Sequence, residues 1–81
     1  MRNTKELLEL MLKHKELFFF GLCSWAELLF INDLITEAEY RLLRQYINEN
    51  KPDKTFDWIY YFEPYKIAPR IEWIEQQIEK L

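Results

Sequence analysis

Thr36-Glu37-Ala38-Glu39-Tyr40-Arg41-Leu42-Leu43-Arg44-Gln45-Tyr46-Ile47-Asn48 decides the fold class. Thr36 offers a side-chain oxygen to the first free amides of a helix. Glu39, three residues on, can return the bond, and Glu37 adds a favourable charge at the positive end of the helix dipole. Leu42, Leu43, Tyr46 and Ile47 then recur at helical spacing, while Arg41 and Arg44 point elsewhere. A helix from Thr36 to about Asn48 follows.

Working outward, Asn3 with Glu6 is a second capping box, and it opens a helix from about Thr4 to His14. Leu7, Leu8, Leu10, Met11 and Leu12 form its apolar face, and Lys13 and Lys15 suit its negative end. Leu17 to Gly21 reads either as a buried hinge or as the first turn of the next helix. That helix spans Leu22 to Asn32, with Leu22, Trp25, Ala26 and Leu29 on one face, and Asn32-Asp33 breaks it. A polar stretch containing Pro52 follows as a loop. Pro69 is placed as the first residue of a last helix that runs to about Lys80. In it Ile67, Ile71, Ile74, Ile78 and Leu81 make the expected seam against another helix. Arg70, Trp73 and Gln77 fall on a different face. The expected architecture is all-α, a small bundle of about four helices in one domain over residues 1–81.

Between the third and fourth helices lie six aromatics: Phe56, Trp58, Tyr60, Tyr61, Phe62 and Tyr65. Phe56, Trp58, Tyr60 and Phe62 alternate with the period of a strand, yet a lone strand is unstable and no second one is evident. The segment 53–67 reads as a short helix or an irregular, extended arm, and its conformation stays open.

Composition restricts function. A chain of 81 residues buries only about 60% of its unfolded surface, so its stability is marginal without help. Cys23 is the only cysteine and His14 the only histidine. No internal disulfide can form, and no structural zinc site is expected. Dense packing or self-association remains. The net charge of −3 opposes general binding to a nucleic-acid backbone. Leu17 to Ile31 is the most apolar run, but it is too short to span a bilayer and contains Glu27. Glu6, Glu9 and Glu16 sit where a secretory signal would be basic. A cytoplasmic, full-length chain is the expectation.

Chemistry-bearing groups are sparse. Cys23 with His14 would need an orienting third group to act as a nucleophile pair, and Cys23 inside an apolar run reads as a small core residue. Glu72, Glu75 and Glu79 line one side of the last helix and read as a solvated face. Helices two and three resemble a helix-turn-helix, but its reading end would carry Glu37 and Glu39, which phosphates repel. No enzyme, cofactor, metal or duplex DNA partner is expected. The aromatics are another matter, since they exceed what one small core encloses. Lys54, Lys66 and Arg70 flank them, with Arg41 and Arg44 available from the third helix. Aromatic faces with guanidinium and ammonium groups suit a nucleotide, and they equally suit a protein interface or a core completed by oligomerisation. The candidate ligand-binding residues are Arg44, Trp58, Tyr61, Tyr65, Lys66, Arg70 and Trp73, the last one helical turn from Arg70.

The runs Glu6-Leu7-Leu8-Glu9-Leu10-Met11, Gly21-Leu22-Cys23, Ile35-Thr36-Glu37-Ala38-Glu39-Tyr40 and Pro69-Arg70-Ile71-Glu72-Trp73 together span nearly all of the chain. In them it resembles a group of small uncharacterised phage and prophage proteins of gut Bacteroidetes. No known activity attaches to that group. The resemblance implies a class of job: small phage proteins without catalytic residues often antagonise host defence, by blocking an effector protein or by sequestering a nucleotide signal in an oligomeric pocket. The expected partners are therefore further copies of the chain and either a small anionic nucleotide-type ligand or a host protein. The alternatives are an inhibitor or adaptor that docks an aromatic face on a host protein, and a structural homo-oligomer without a ligand.

Overall fold

A computed structural model describes residues 1–19, 24–52 and 67–81. Among them are four α-helices: α1 (Thr4–Lys13), α2 (Trp25–Ile31), α3 (Glu37–Asn50) and α4 (Ile67–Lys80). A short 3-10 helix, Lys15–Phe19, follows α1. The protein is a small all-α bundle. Helix α1 is its hub, packing against α2, α3 and α4, while α2 also packs on α3.

Both expected capping boxes form. Asn3 Oδ1 accepts from the Glu6 N–H at 2.9 Å, and Glu6 Oε1 accepts from the Asn3 N–H at 3.0 Å. Thr36 and Glu39 repeat the arrangement at 3.2 and 2.9 Å. Each pair satisfies two amides that a helix start leaves free. Helix α3 runs two residues past the expected end. Lys51 then takes an extended backbone, as the ring of Pro52 demands of the residue before it.

Helix α2 starts later than expected. Ser24 is extended, with φ −64° and ψ 153°, and its Oγ accepts from the Glu27 N–H at 3.2 Å. Ser24 is therefore the cap and Trp25 the first helical residue. Leu22 precedes the cap, and residues 20–23 lie outside the described part. The stretch before them is a separate 3-10 turn, closed by Leu17 N–H donating to His14 O at 3.0 Å. Helix α2 ends in a Schellman motif. Asp33 N–H donates to Phe30 O and Leu34 N–H to Leu29 O, both at 3.0 Å, and Asp33 is left-handed at φ 59°. The helix thus ends at the expected break, Asn32-Asp33, with two of its last carbonyls paired.

The last helix differs in start and in face. It begins at Ile67, so Pro69 is its third residue. A proline there costs no bond, because the first-turn amides have no intrahelical acceptor. The buried residues are Ile67, Arg70, Trp73, Ile74 and Gln77, whereas Ile71 and Ile78 are half-buried and Leu81 is 51% exposed. The inward face is thus turned by roughly 60° from the aliphatic seam, at 100° per residue. Aromatic Trp73, the long stem of Arg70 and a partnered Gln77 bury surface that an aliphatic count overlooks. The core joins these to Leu7, Leu8, Met11, Phe18, Trp25, Leu29, Leu43 and Ile47.

Candidate functional site

The start of α2 gathers the charged and aromatic groups. Phe18 from the 3-10 turn stacks on Trp25, with ring centroids 3.7 Å apart and planes 17° from parallel. Both rings are buried. Arg70 approaches from α4, its Cζ 5.9 Å from the Trp25 ring centroid, within the range where a guanidinium is attracted to an indole face. Trp73 lies one turn further along α4 and is 9% exposed.

Arg44 reaches the same place from α3. Its Nη1 donates to Ser24 Oγ at 3.0 Å and to Tyr40 Oη at 3.1 Å. Its Cζ stands 6.0 Å from the Tyr40 ring centroid. Two guanidinium groups from different helices therefore meet consecutive residues, Ser24 and Trp25. Arg70 is buried at 4% exposed, and Arg44 is half-buried.

Of the seven sequence-predicted ligand residues, the fold brings Arg44 and Arg70 to this region, and Trp73 is buried one turn along α4 from Arg70. Trp58, Tyr61, Tyr65 and Lys66 lie outside the described residues, as does the aromatic segment as a whole. It joins α4 at Ile67, three residues before Arg70. Arg70 and Trp73 face the core, so neither stands free on the outside of α4. Ser24 and Tyr40 complete the arrangement and were absent from the sequence-based set. A signal for each exists: Ser24 precedes Glu27 by three residues, and Tyr40 precedes Arg44 by one helical turn.

These contacts have an architectural consequence of their own. Arg44 ties the α2 cap to α3, and Arg70 ties Trp25 to α4. Chemically, the region offers charge-assisted donors, hydroxyls and ring faces, which bind and orient without forming or breaking bonds. Among the described residues, no group of three or more His, Cys, Asp or Glu side chains is placed to hold a metal ion. Among them, too, no helix is long and apolar enough to cross a membrane. No family model, curated protein or solved structure matches the chain.

Proposed function

We propose that this chain is a non-catalytic binding protein that captures a small anionic, nucleotide-type ligand. The observation that supports this reading is the convergence of Arg44 and Arg70 on Ser24 and Trp25, beside the point where the aromatic segment enters α4. Arg44, the less buried cation, contacts phosphate. Arg70 holds the Trp25 ring and adds positive potential from within the core. The aromatics of residues 56–65 and Lys66 supply stacking and further charge. The resemblance to small phage proteins makes antagonism of a host defence, by sequestering its nucleotide signal in the host cytoplasm, the role in which such capture serves. A homo-oligomer supplies enclosure around the ligand.

Calorimetry with a panel of cyclic and linear nucleotides tests the reading. At least one nucleotide is expected to bind, with an affinity that falls as salt rises, since phosphate contacts are screened. Arg44→Gln is expected to weaken it by about tenfold, the loss of one charge-assisted contact. Absence of heat and of thermal shift for every nucleotide overturns the proposal.

A second reading, an adaptor docking on a host protein, draws on Phe30 and Ile31. They are 37% and 60% exposed at the end of α2, with Phe30 packed on the Tyr40 ring at 5.1 Å. Stoichiometric co-purification of one host protein, lost in Ile31→Asp, is the result that favours it.

A further inference from the structure

Helices α1 and α4 leave an open groove of about 430 Å³ between them, with neither Ser24 nor Trp25 in its lining. It is lined by Glu9 and Leu12 of α1 and by Glu75, Ile78 and Glu79 of α4. Leu12 and Ile78 are half-buried and form an apolar floor, while the three glutamates are exposed. Among the described residues, none of the three carboxylates forms an ion pair. The charged residues that line the groove are therefore all acidic, and they stand on both helices beside an apolar strip.

We propose that this groove docks a basic amphipathic helix of a partner protein. The floor takes a Leu or Ile stripe, and the rim takes Lys or Arg from the flanking positions. A helix suits the groove better than an extended peptide. The groove walls are helices whose backbone groups are already paired internally, so a strand would find no free edge to extend. A third helix can instead seat its side-chain ridges between those of α1 and α4. Helix α4 has 14 residues and so is about 21 Å long, which matches a partner of three to four turns. Charge complementarity of this kind fixes register and speeds encounter, and it rejects acidic helices.

The test uses the whole chain and a synthetic 14-residue amphipathic helix with a leucine stripe flanked by lysines. A control peptide has the same composition but a scrambled order that destroys the stripe. Anisotropy gives the affinities, and amide shift mapping gives the location. The striped peptide is expected to bind, with shifts centred on Leu12 and Ile78. Affinity should fall by about tenfold in the triple variant Glu9→Gln, Glu75→Gln, Glu79→Gln, and should weaken with salt. These positions are exposed, so the variant keeps its fold, and circular dichroism checks this. The proposal is overturned if the striped peptide does not bind, if the triple variant binds as well as the parent, if the scrambled peptide binds equally, or if the shifts centre elsewhere. It is also overturned if, without peptide, raising the protein concentration shifts the Leu12 and Ile78 amides, because a second copy of the chain then occupies the groove.

Discussion

Arg2 and Glu39, 37 positions apart, hold each other at two points. The Arg2 backbone N–H donates to Glu39 Oε2 at 3.0 Å, and its Nη1 donates to both carboxylate oxygens at 3.3 Å. The same carboxylate caps α3 through the Thr36 N–H at 2.9 Å. One buried side chain thus joins the chain start, the α2–α3 connection and the first turn of α3.

This arrangement predicts an acid-sensitive stability. The Thr36 backbone N–H, then the Arg2 backbone N–H and the Arg2 charge, favour the ionised form. Burial opposes them, and the Glu39 carboxyl is pulled from 4.5 down to about 2. A depressed carboxyl contributes stability above its unfolded pKa and loses it as pH falls through the folded one. The urea midpoint of the native chain is therefore expected to fall between pH 4.5 and about 2. Glu39→Gln should be less stable at neutral pH, and its gap to the parent should close over that window. A constant gap down to the acid limit would show that Glu39 does not titrate as described.

Asp33 supplies a second prediction. It occupies the left-handed position of the Schellman motif at φ 59°, where a side chain is strained and glycine is not. Asp33→Gly is expected to stabilise the protein by about 0.5–1 kcal/mol, and Asp33→Val to destabilise it by at least as much. Equilibrium urea unfolding with an unchanged slope distinguishes stability from compactness.

What was legible in the sequence was local. Asn3 with Glu6 and Thr36 with Glu39 marked two helix starts because a capping box spans only three residues. Ser24 with Glu27 carried the same kind of signal. It was hidden because Ser24 sits inside the apolar run from Leu17 to Ile31, where continuity suggested one longer helix. The inward face of α4 was only half legible. Ile67 and Ile74 were placed on it correctly, but the buried Gln77 accepts from Tyr46, 31 positions away, and no periodicity encodes that. Arg44 and Arg70 were singled out for their charge. That they converge on Ser24 and Trp25 is a tertiary fact, as is the pairing of Arg2 with Glu39. The roles assigned to Trp58, Tyr61, Tyr65 and Lys66 lie outside the described residues.

The rotated face of α4 makes two isoleucines of one seam unequal. Ile74 is fully buried, whereas Ile78 is only half-buried. Ile74→Ala is expected to cost about 2–5 kcal/mol, because it removes buried methyl groups and leaves a cavity that a small core cannot refill. Ile78→Ala should cost about 1 kcal/mol, in keeping with the smaller area it withdraws from water. Equal losses in urea unfolding would contradict the rotation and restore the aliphatic seam.

Tyr46 and Gln77 test what holds α3 to α4. Tyr46 Oη donates to Gln77 Oε1 at 2.6 Å, and Gln77 is 5% exposed. Tyr46→Phe leaves a buried amide oxygen without this donor and is expected to cost about 1–3 kcal/mol. Gln77→Met removes the acceptor, but Tyr46 as a residue is only half-buried and its hydroxyl can turn to water, so the cost should be smaller. The double variant Tyr46→Phe, Gln77→Met replaces both polar groups with apolar ones of similar shape, and it should be more stable than Tyr46→Phe alone. The expected coupling in a double-mutant cycle is about 1 kcal/mol or more, as befits residues in direct contact. Strict additivity of the two single changes would mean that the bond contributes nothing, and that Gln77 is buried by the packing of Trp73 and Ile74 alone.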